Sequence, residues 1–318
     1  MSKVAIYLSY LKEKKLIDRA CISLGEKCNL KCSYCHFHNE ENGKLSGSPQ
    51  EFSADELIRI INEINNYAIS HEISTFKIGI VGSGEPMLQY KKIVELITYV
   101  KNNNLTRLAF YTITNGTILN DNILNFFYEH RDFIKLCFSL DGYEELHNIG
   151  REKYRVVYNG IEMYESVFGA KPPINCTVHN ETINNKTKLR EYLETEDFKD
   201  VTFSRLFDSH DIKMTVSEGE YKDLLSEFKG SKFEVRQLDE KNKKKYDCTM
   251  YGTLCGVGKT NIFITKMGIY PCGRFYGNEK YNYGAFDMNL DALEVEMKKM
   301  KSLRDGECYF DKYVEVVN

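Results

Sequence analysis

The sequence predicts an α/β fold, a parallel sheet either open or curled into a barrel, with a small cysteine-bearing unit after it. Strand-sized apolar runs alternate with amphipathic stretches over the first two thirds of the 318 residues, the pattern of strand–helix–strand units with right-handed crossovers. Polar and glycine-rich motifs fall just after those runs, where such folds collect their chemistry. A hydrophobic share of 42% at a net charge of -3 supplies one large core and an appendage.

Taken in order, the N-terminal run Val4 to Leu11 is cut short by Lys12, Lys14 and Lys15 and has no small-residue cleavage site after it. It fits neither a spanning helix nor a signal peptide, so the expected compartment is the cytoplasm and no membrane partner is expected. Ten cysteines in a non-secreted chain point to metal or redox ligation rather than a disulfide framework. The first strand is Ala20 to Leu24. Ser53 and Glu56 then form a capping box ahead of Leu57, Ile60, Ile61, Ile64 and Tyr67, an apolar stripe at helical spacing. A second strand, Phe76 to Val81, is followed by the helical stripe Ile93, Leu96, Ile97 and Val100. Further strands are Leu108 to Thr114, Ile134 to Leu140, Ile174 to Val178 and Val201 to Ser204.

Sequence character changes near residue 208, which sets expected boundaries of 1–207 for the sheet domain, 208–247 for a helix-containing linker and 248–318 for the last unit. The linker carries a second capping box, Ser217 and Glu220 ahead of Leu224, Leu225 and Phe228, and then the charged run Asp239 to Tyr246. In the last unit Asn261 to Thr265 and Ile269 to Pro271 read as a hairpin around Met267-Gly268. The near-neutral charge and the short basic run Lys241 to Lys245, interrupted by Asn242, speak against a nucleic-acid substrate.

Cys28, Cys32 and Cys35 stand in a C-x3-C-x2-C spacing that ten cysteines would produce by chance in about one such chain in a hundred. Three thiolates hold three irons of a [4Fe-4S] cluster and leave the fourth open. Structural zinc is the competing reading, with His36 or His38 as the fourth ligand. After the second strand comes Gly82-Ser83-Gly84-Glu85-Pro86, whose glycines admit a close-lying ligand and whose Glu85 can accept from a cationic amine. After the third comes Thr114-Asn115-Gly116-Thr117, and after the fourth Ser139-Leu140-Asp141-Gly142, with a hydroxyl and a carboxylate suited to a ribose. Each alone reads as a plain turn; their order does not.

That order resembles the radical S-adenosylmethionine superfamily over roughly residues 20 to 205. The likeness rests on the cysteine triplet, Gly84-Glu85-Pro86 and Ser139. With Thr114-Asn115-Gly116, Ser139-Leu140-Asp141-Gly142 and His147-x3-Arg151, the chain is most similar to the branch of anaerobic sulfatase maturases and peptide-modifying enzymes. The resemblance implies a partial (β/α)6 barrel in which the open iron chelates the amino and carboxylate groups of S-adenosylmethionine. It also implies that Glu85, beside Gly84, holds the amine and Ser139 the ribose, that Tyr34 packs beside the adenine, and that Arg151 pairs with the carboxylate. Ser83 stands where the family often has glycine.

Cys255 and Cys272, with Gly268-Ile269-Tyr270-Pro271, resemble the start of the branch's auxiliary-cluster domain, SPASM or its shortened form twitch. Cys248 and Cys308 complete four thiolates, the ligand set of a second, closed [4Fe-4S] cluster, with zinc again the competitor. Cysteines for a further cluster are missing, so a twitch-like unit is expected. The implied activity is reductive cleavage of S-adenosylmethionine to a 5′-deoxyadenosyl radical, fed by a reducing partner such as flavodoxin or ferredoxin, and hydrogen abstraction from a substrate peptide or small molecule. Sulfatase maturases carry an aspartate after the cysteine matching Cys272, whereas this chain has Gly273-Arg274, which argues against sulfatase maturation. Candidate substrate-facing residues are Tyr270, Arg274, Tyr276 and Arg205, and Cys137, sharing strand parity with Ser139, is a candidate hydrogen donor; Cys21 and Cys176 also lie on strands. Oxidative modification of a ribosomally made peptide is the first expectation. A dehydrogenase or epimerase of a sugar or aminoglycoside is the second, and an electron-transfer protein the third.

Overall fold

The computed structural model describes residues 16–37, 50–206, 212–238, 256–257 and 260–299. The six expected barrel strands are all present: β1 (Arg19–Ile22), β2 (Phe76–Ile80), β3 (Leu108–Thr114), β4 (Ile134–Ser139), β5 (Ile174–Val178) and β6 (Asp200–Arg205). They lie side by side in chain order with every neighbouring pair parallel. Between them run α1 (Ala54–Ser70), α2 (Tyr90–Asn102), α3 (Asp121–Glu129), α4 (Glu144–Gly150), α5 (Tyr154–Phe168), α6 (Asn180–Asn184) and α7 (Lys186–Thr195). The sheet does not close, and the architecture is a partial α/β barrel.

The sheet extends beyond six strands at both edges. Past β6, helix α8 (Glu218–Glu227) leads to the two-residue β7 (Glu234–Val235), which pairs parallel to β6. On the other side β8 (Asn261–Thr265) pairs parallel to β1 in register Arg19 with Asn261, and β9 (Gly268–Tyr270) folds back antiparallel onto β8. The hairpin expected around Met267-Gly268 is therefore a continuation of the barrel sheet. Helix α9 (Leu290–Lys299) then returns to α1, where Glu63 accepts from the Leu290 N–H at 2.9 Å and Tyr67 donates to Glu294.

Alternation along the strands decides which face is core. In β3 the residues Leu108, Phe110, Thr112 and Thr114 are buried, while Ala109, Tyr111 and Ile113 are half-buried on the concave face. The helices supply the opposing layer: Leu57, Ile60, Ile61 and Ile64 of α1 are buried, each contributing about 2 kcal/mol over its exposed state. Both capping boxes form as the sequence indicated, Ser53 with Glu56 on α1 and Ser217 with Glu220 on α8. On the concave face Tyr111 crosses β2 to bring its hydroxyl 3.7 Å from the Cys21 thiol. It passes over Gly79, where a Cβ would meet the tyrosine oxygen at 2.5 Å. Among the described residues no helix is long and apolar enough to cross a membrane.

Candidate functional site

The loop after β1 carries the cysteine triplet, and the ends of β2, β3 and α4 hold it. Gly84 lies directly beneath it: a Cβ there would stand 2.5 Å from the Gly25 carbonyl and 2.6 Å from that of Lys27. The next residue bonds upward, its N–H donating to the Lys27 carbonyl at 2.9 Å. Ser83 is accommodated by a serine of β1's extension, since its N–H donates to Ser23 Oγ at 3.1 Å and the two hydroxyls are 2.9 Å apart. From β3, Asn115 Nδ2 donates to Asn29 Oδ1 at 2.8 Å, and Asn29 Nδ2 donates to Thr117 Oγ1 at 2.7 Å. Near α4 the Ser33 N–H donates to the Gly150 carbonyl at 2.9 Å. Cys28, Cys32 and Cys35 are all half-buried free thiols on this stitched loop.

Glu85 is buried and its carboxylate is already oriented. Oε1 accepts from Thr114 Oγ1 at 2.6 Å and from the Met87 N–H at 3.0 Å, and Oε2 accepts from the Asn115 N–H at 2.7 Å. A carboxylate offers about four acceptor positions, so three donors leave one for an amine. Burial pushes the Glu85 carboxyl up; the three hydrogen bonds and the Arg151 charge oppose that. Ser139 ends β4 beside Asn175 of β5 and retains little exposure.

Asp141 departs from its expected part. Rather than facing a ribose, its fully buried carboxylate accepts from the Tyr34 hydroxyl, from Arg151 Nε at 3.1 Å and from the Thr177 N–H at 2.8 Å. Its own N–H donates to His147 Nδ1 at 3.3 Å. Tyr34 is likewise spent on the protein: it is buried, and its ring lies where a Cβ on Gly150 would come within 2.1 Å. Arg151, bonded to Asp141 and to Thr177 Oγ1 at 3.2 Å, also sets Nη1 3.8 Å from Cys32 Sγ.

The substrate-facing candidates are scattered. Tyr270 is fully buried in a small cluster with Phe263, Phe275, Tyr276 and Tyr281, so its expected contact with substrate is replaced by packing. Tyr276 is also buried and donates to Glu26 of the loop after β1. Arg205 shares the outward parity of Val201 and Phe203 and donates to the Val216 carbonyl at 3.4 Å, on the face of β6 opposite the concave one. Cys176 is core, by the same parity on β5. Cys137 does keep the parity of Ser139, on the concave side, where burial pushes its thiol up to about 11. Arg274 and Cys272 are half-buried on the short turn after β9, where Gly273 meets the Phe37 ring at the end of the cysteine loop. Cys248, Cys255 and Cys308 lie outside the described residues.

Residues 22–180 match the model of the radical SAM superfamily. The chain belongs to that superfamily. A cysteine-type anaerobic sulfatase-maturating enzyme of Clostridium perfringens is 25% identical to this radical SAM chain over 307 residues, covering 84% of the chain and 76% of the relative. The solved structure "Native anSMEcpe with bound AdoMet" superposes with a TM-score of 0.67 at 21% identity, covering 86% of this chain and 79% of that one. Streptococcus suis SuiB bound to precursor peptide SuiA superposes with a TM-score of 0.68 at 16% identity, covering 94% and 71%. At those identities the two structures speak for the fold.

A radical SAM enzyme works with a [4Fe-4S] cluster and S-adenosylmethionine, and the residues present fit both. Three half-buried thiols share one loop, and a buried carboxylate with spare acceptor capacity stands within electrostatic reach of Cys28. Among the described residues no three His, Cys, Asp or Glu side chains converge closely enough for a single ion. Three thiols on one loop are the ligand set that leaves the fourth iron of a [4Fe-4S] cluster open.

Proposed function

We propose that Cys28, Cys32 and Cys35 hold the cluster, that Glu85 receives the amine of S-adenosylmethionine and Ser139 its ribose, and that the substrate is a peptide that undergoes oxidative modification. The match to a sulfatase-maturating enzyme across 84% of the chain carries the peptide reading. When bound, the pair supplies a 5′-deoxyadenosyl radical capable of abstracting hydrogen. The chain's residues orient: Thr114, Asn115 and Met87 aim Glu85, the stitched loop fixes the thiols, and Tyr111, Ile113 and Cys137 stand half-buried on the concave face below. Gly273-Arg274 after Cys272 separates this chain from sulfatase maturation proper, so the modified residue belongs to another peptide class.

Cys248, Cys255, Cys272 and Cys308 form the proposed auxiliary site, in a C-terminal unit of residues 248–318. A closed cluster there would accept or relay an electron, which suits a net oxidation. The substrate class is tested by deuterium transfer. Reconstituted enzyme is supplied with S-adenosylmethionine, reductant and either a peptide digest or a small-molecule extract of perdeuterated cells. Deuterium in 5′-deoxyadenosine is expected with the peptide fraction; labelling only by the small-molecule fraction overturns the peptide reading.

A further inference from the structure

Asp141 has no exposed surface, and an isolated carboxylate in such a place costs several kcal/mol unless partners offset it. Its three donors come from distant parts of the chain: Tyr34 on the cysteine loop, Arg151 after α4 and the Thr177 N–H of β5. Two of these also fix the guanidinium. Nε is bonded to Asp141, Nη2 donates to Thr177 Oγ1 at 3.2 Å, and the Tyr34 ring lies 5.4 Å from Cζ. With the fork planar and held at those points, the direction of Nη1 is determined, and it points to Cys32 Sγ at 3.8 Å.

We propose that Arg151 is a positioning residue for the cluster itself: held by Asp141, Tyr34 and Thr177, it donates from Nη1 to the Cys32 thiolate and raises the cluster's reduction potential. The inference rests on the reading that Cys28, Cys32 and Cys35 hold the cluster. Its sign follows from charge. Reduction adds an electron to the cluster, and a hydrogen bond or cation at a ligating sulfur stabilises the more negative state. Asp141 opposes this, but it takes the Nε edge of the fork, whereas Nη1 is the atom at the Cys32 sulfur.

The test is a redox titration of the anaerobically reconstituted enzyme without S-adenosylmethionine. It follows the electron paramagnetic resonance signal that separate addition of S-adenosylmethionine perturbs. Arg151→Gln is expected to move the midpoint to more negative potential with iron per chain unchanged, and Arg151→Lys, which keeps the charge without the fork, to lie between. Should the glutamine protein fail to load iron, Thr177→Val, which removes one anchor of the guanidinium, carries the test with the same expected direction. Unchanged midpoints in the variants that load iron overturn the proposal, whether or not affinity for S-adenosylmethionine falls. A Cys32→Ala enzyme that retains the wild-type signal is a different failure, one that removes the cluster assignment beneath it.

Discussion

Glu85 and Asp141 are two buried carboxylates a short distance apart in function and opposite in use. Glu85 takes three donors and keeps an acceptor position, whereas Asp141 is committed to the protein. Glu85→Gln would turn one of those acceptor atoms into a donor facing a donor. Affinity for S-adenosylmethionine is expected to fall at least about tenfold with iron content retained, as equilibrium dialysis would show. Asp141→Ala would leave Arg151 uncompensated, a change expected to cost about 3–5 kcal/mol in urea unfolding. His147 gives a pH signature. Burial pushes its imidazole down to about 4, below an ordinary value of 6.5, so the unfolded chain binds the proton first as pH falls. Stability from this group is whole above about pH 6.5 and declines toward pH 4, by about 2 kcal/mol between pH 7 and 5. Unfolding of His147→Asn, compared at the two pH values, should lack that increment. Glu85 was legible because it sits in a local motif. Asp141 was not, since nothing local says that residues 34, 151 and 177 converge on it.

The decisive element is the cysteine-bearing segment 23–37 after β1, whose shape is imposed by neighbours rather than by its own propensity. Gly84→Ala would drive a methyl group into two backbone carbonyls, which cannot move without shifting the loop. Iron loading at the triplet is expected to fall by more than half while the far-ultraviolet circular dichroism of the barrel persists; full loading would show that the loop tolerates the change. The sequence exposed the six barrel strands and the helices α1 and α8 because each carries a periodic apolar face or a capping box. It concealed β7, a strand of two residues, which is too short to carry a period. Ser83 stands where the resembling family often has glycine, and its hydroxyl partner Ser23, 60 residues earlier, accommodates it.

For the whole molecule, the β8–β9 hairpin was readable from its turn, but its place was not. Pairing of β8 with β1 joins residues about 240 positions apart, and no local signal encodes such a register. This pairing puts the turn bearing Cys272 and Arg274 on the flank of the cysteine loop, with Gly273 against Phe37 and Tyr276 bonded to Glu26. The proposed second cluster predicts about eight irons and eight sulfides per chain after reconstitution, falling to about four in a variant with Cys248, Cys255, Cys272 and Cys308 replaced. Four in the unaltered chain would leave only one cluster. The Cys28, Cys32 and Cys35 loop, with Glu85 beneath it, is proposed to cleave S-adenosylmethionine reductively. That cleavage is tested most directly by quantifying 5′-deoxyadenosine from reconstituted enzyme, S-adenosylmethionine and dithionite under anaerobic conditions. 5′-Deoxyadenosine and methionine are expected in equal amounts, abolished in Cys32→Ala; a cluster-loaded enzyme that forms neither, or a Cys32→Ala protein that forms both, would overturn this reading.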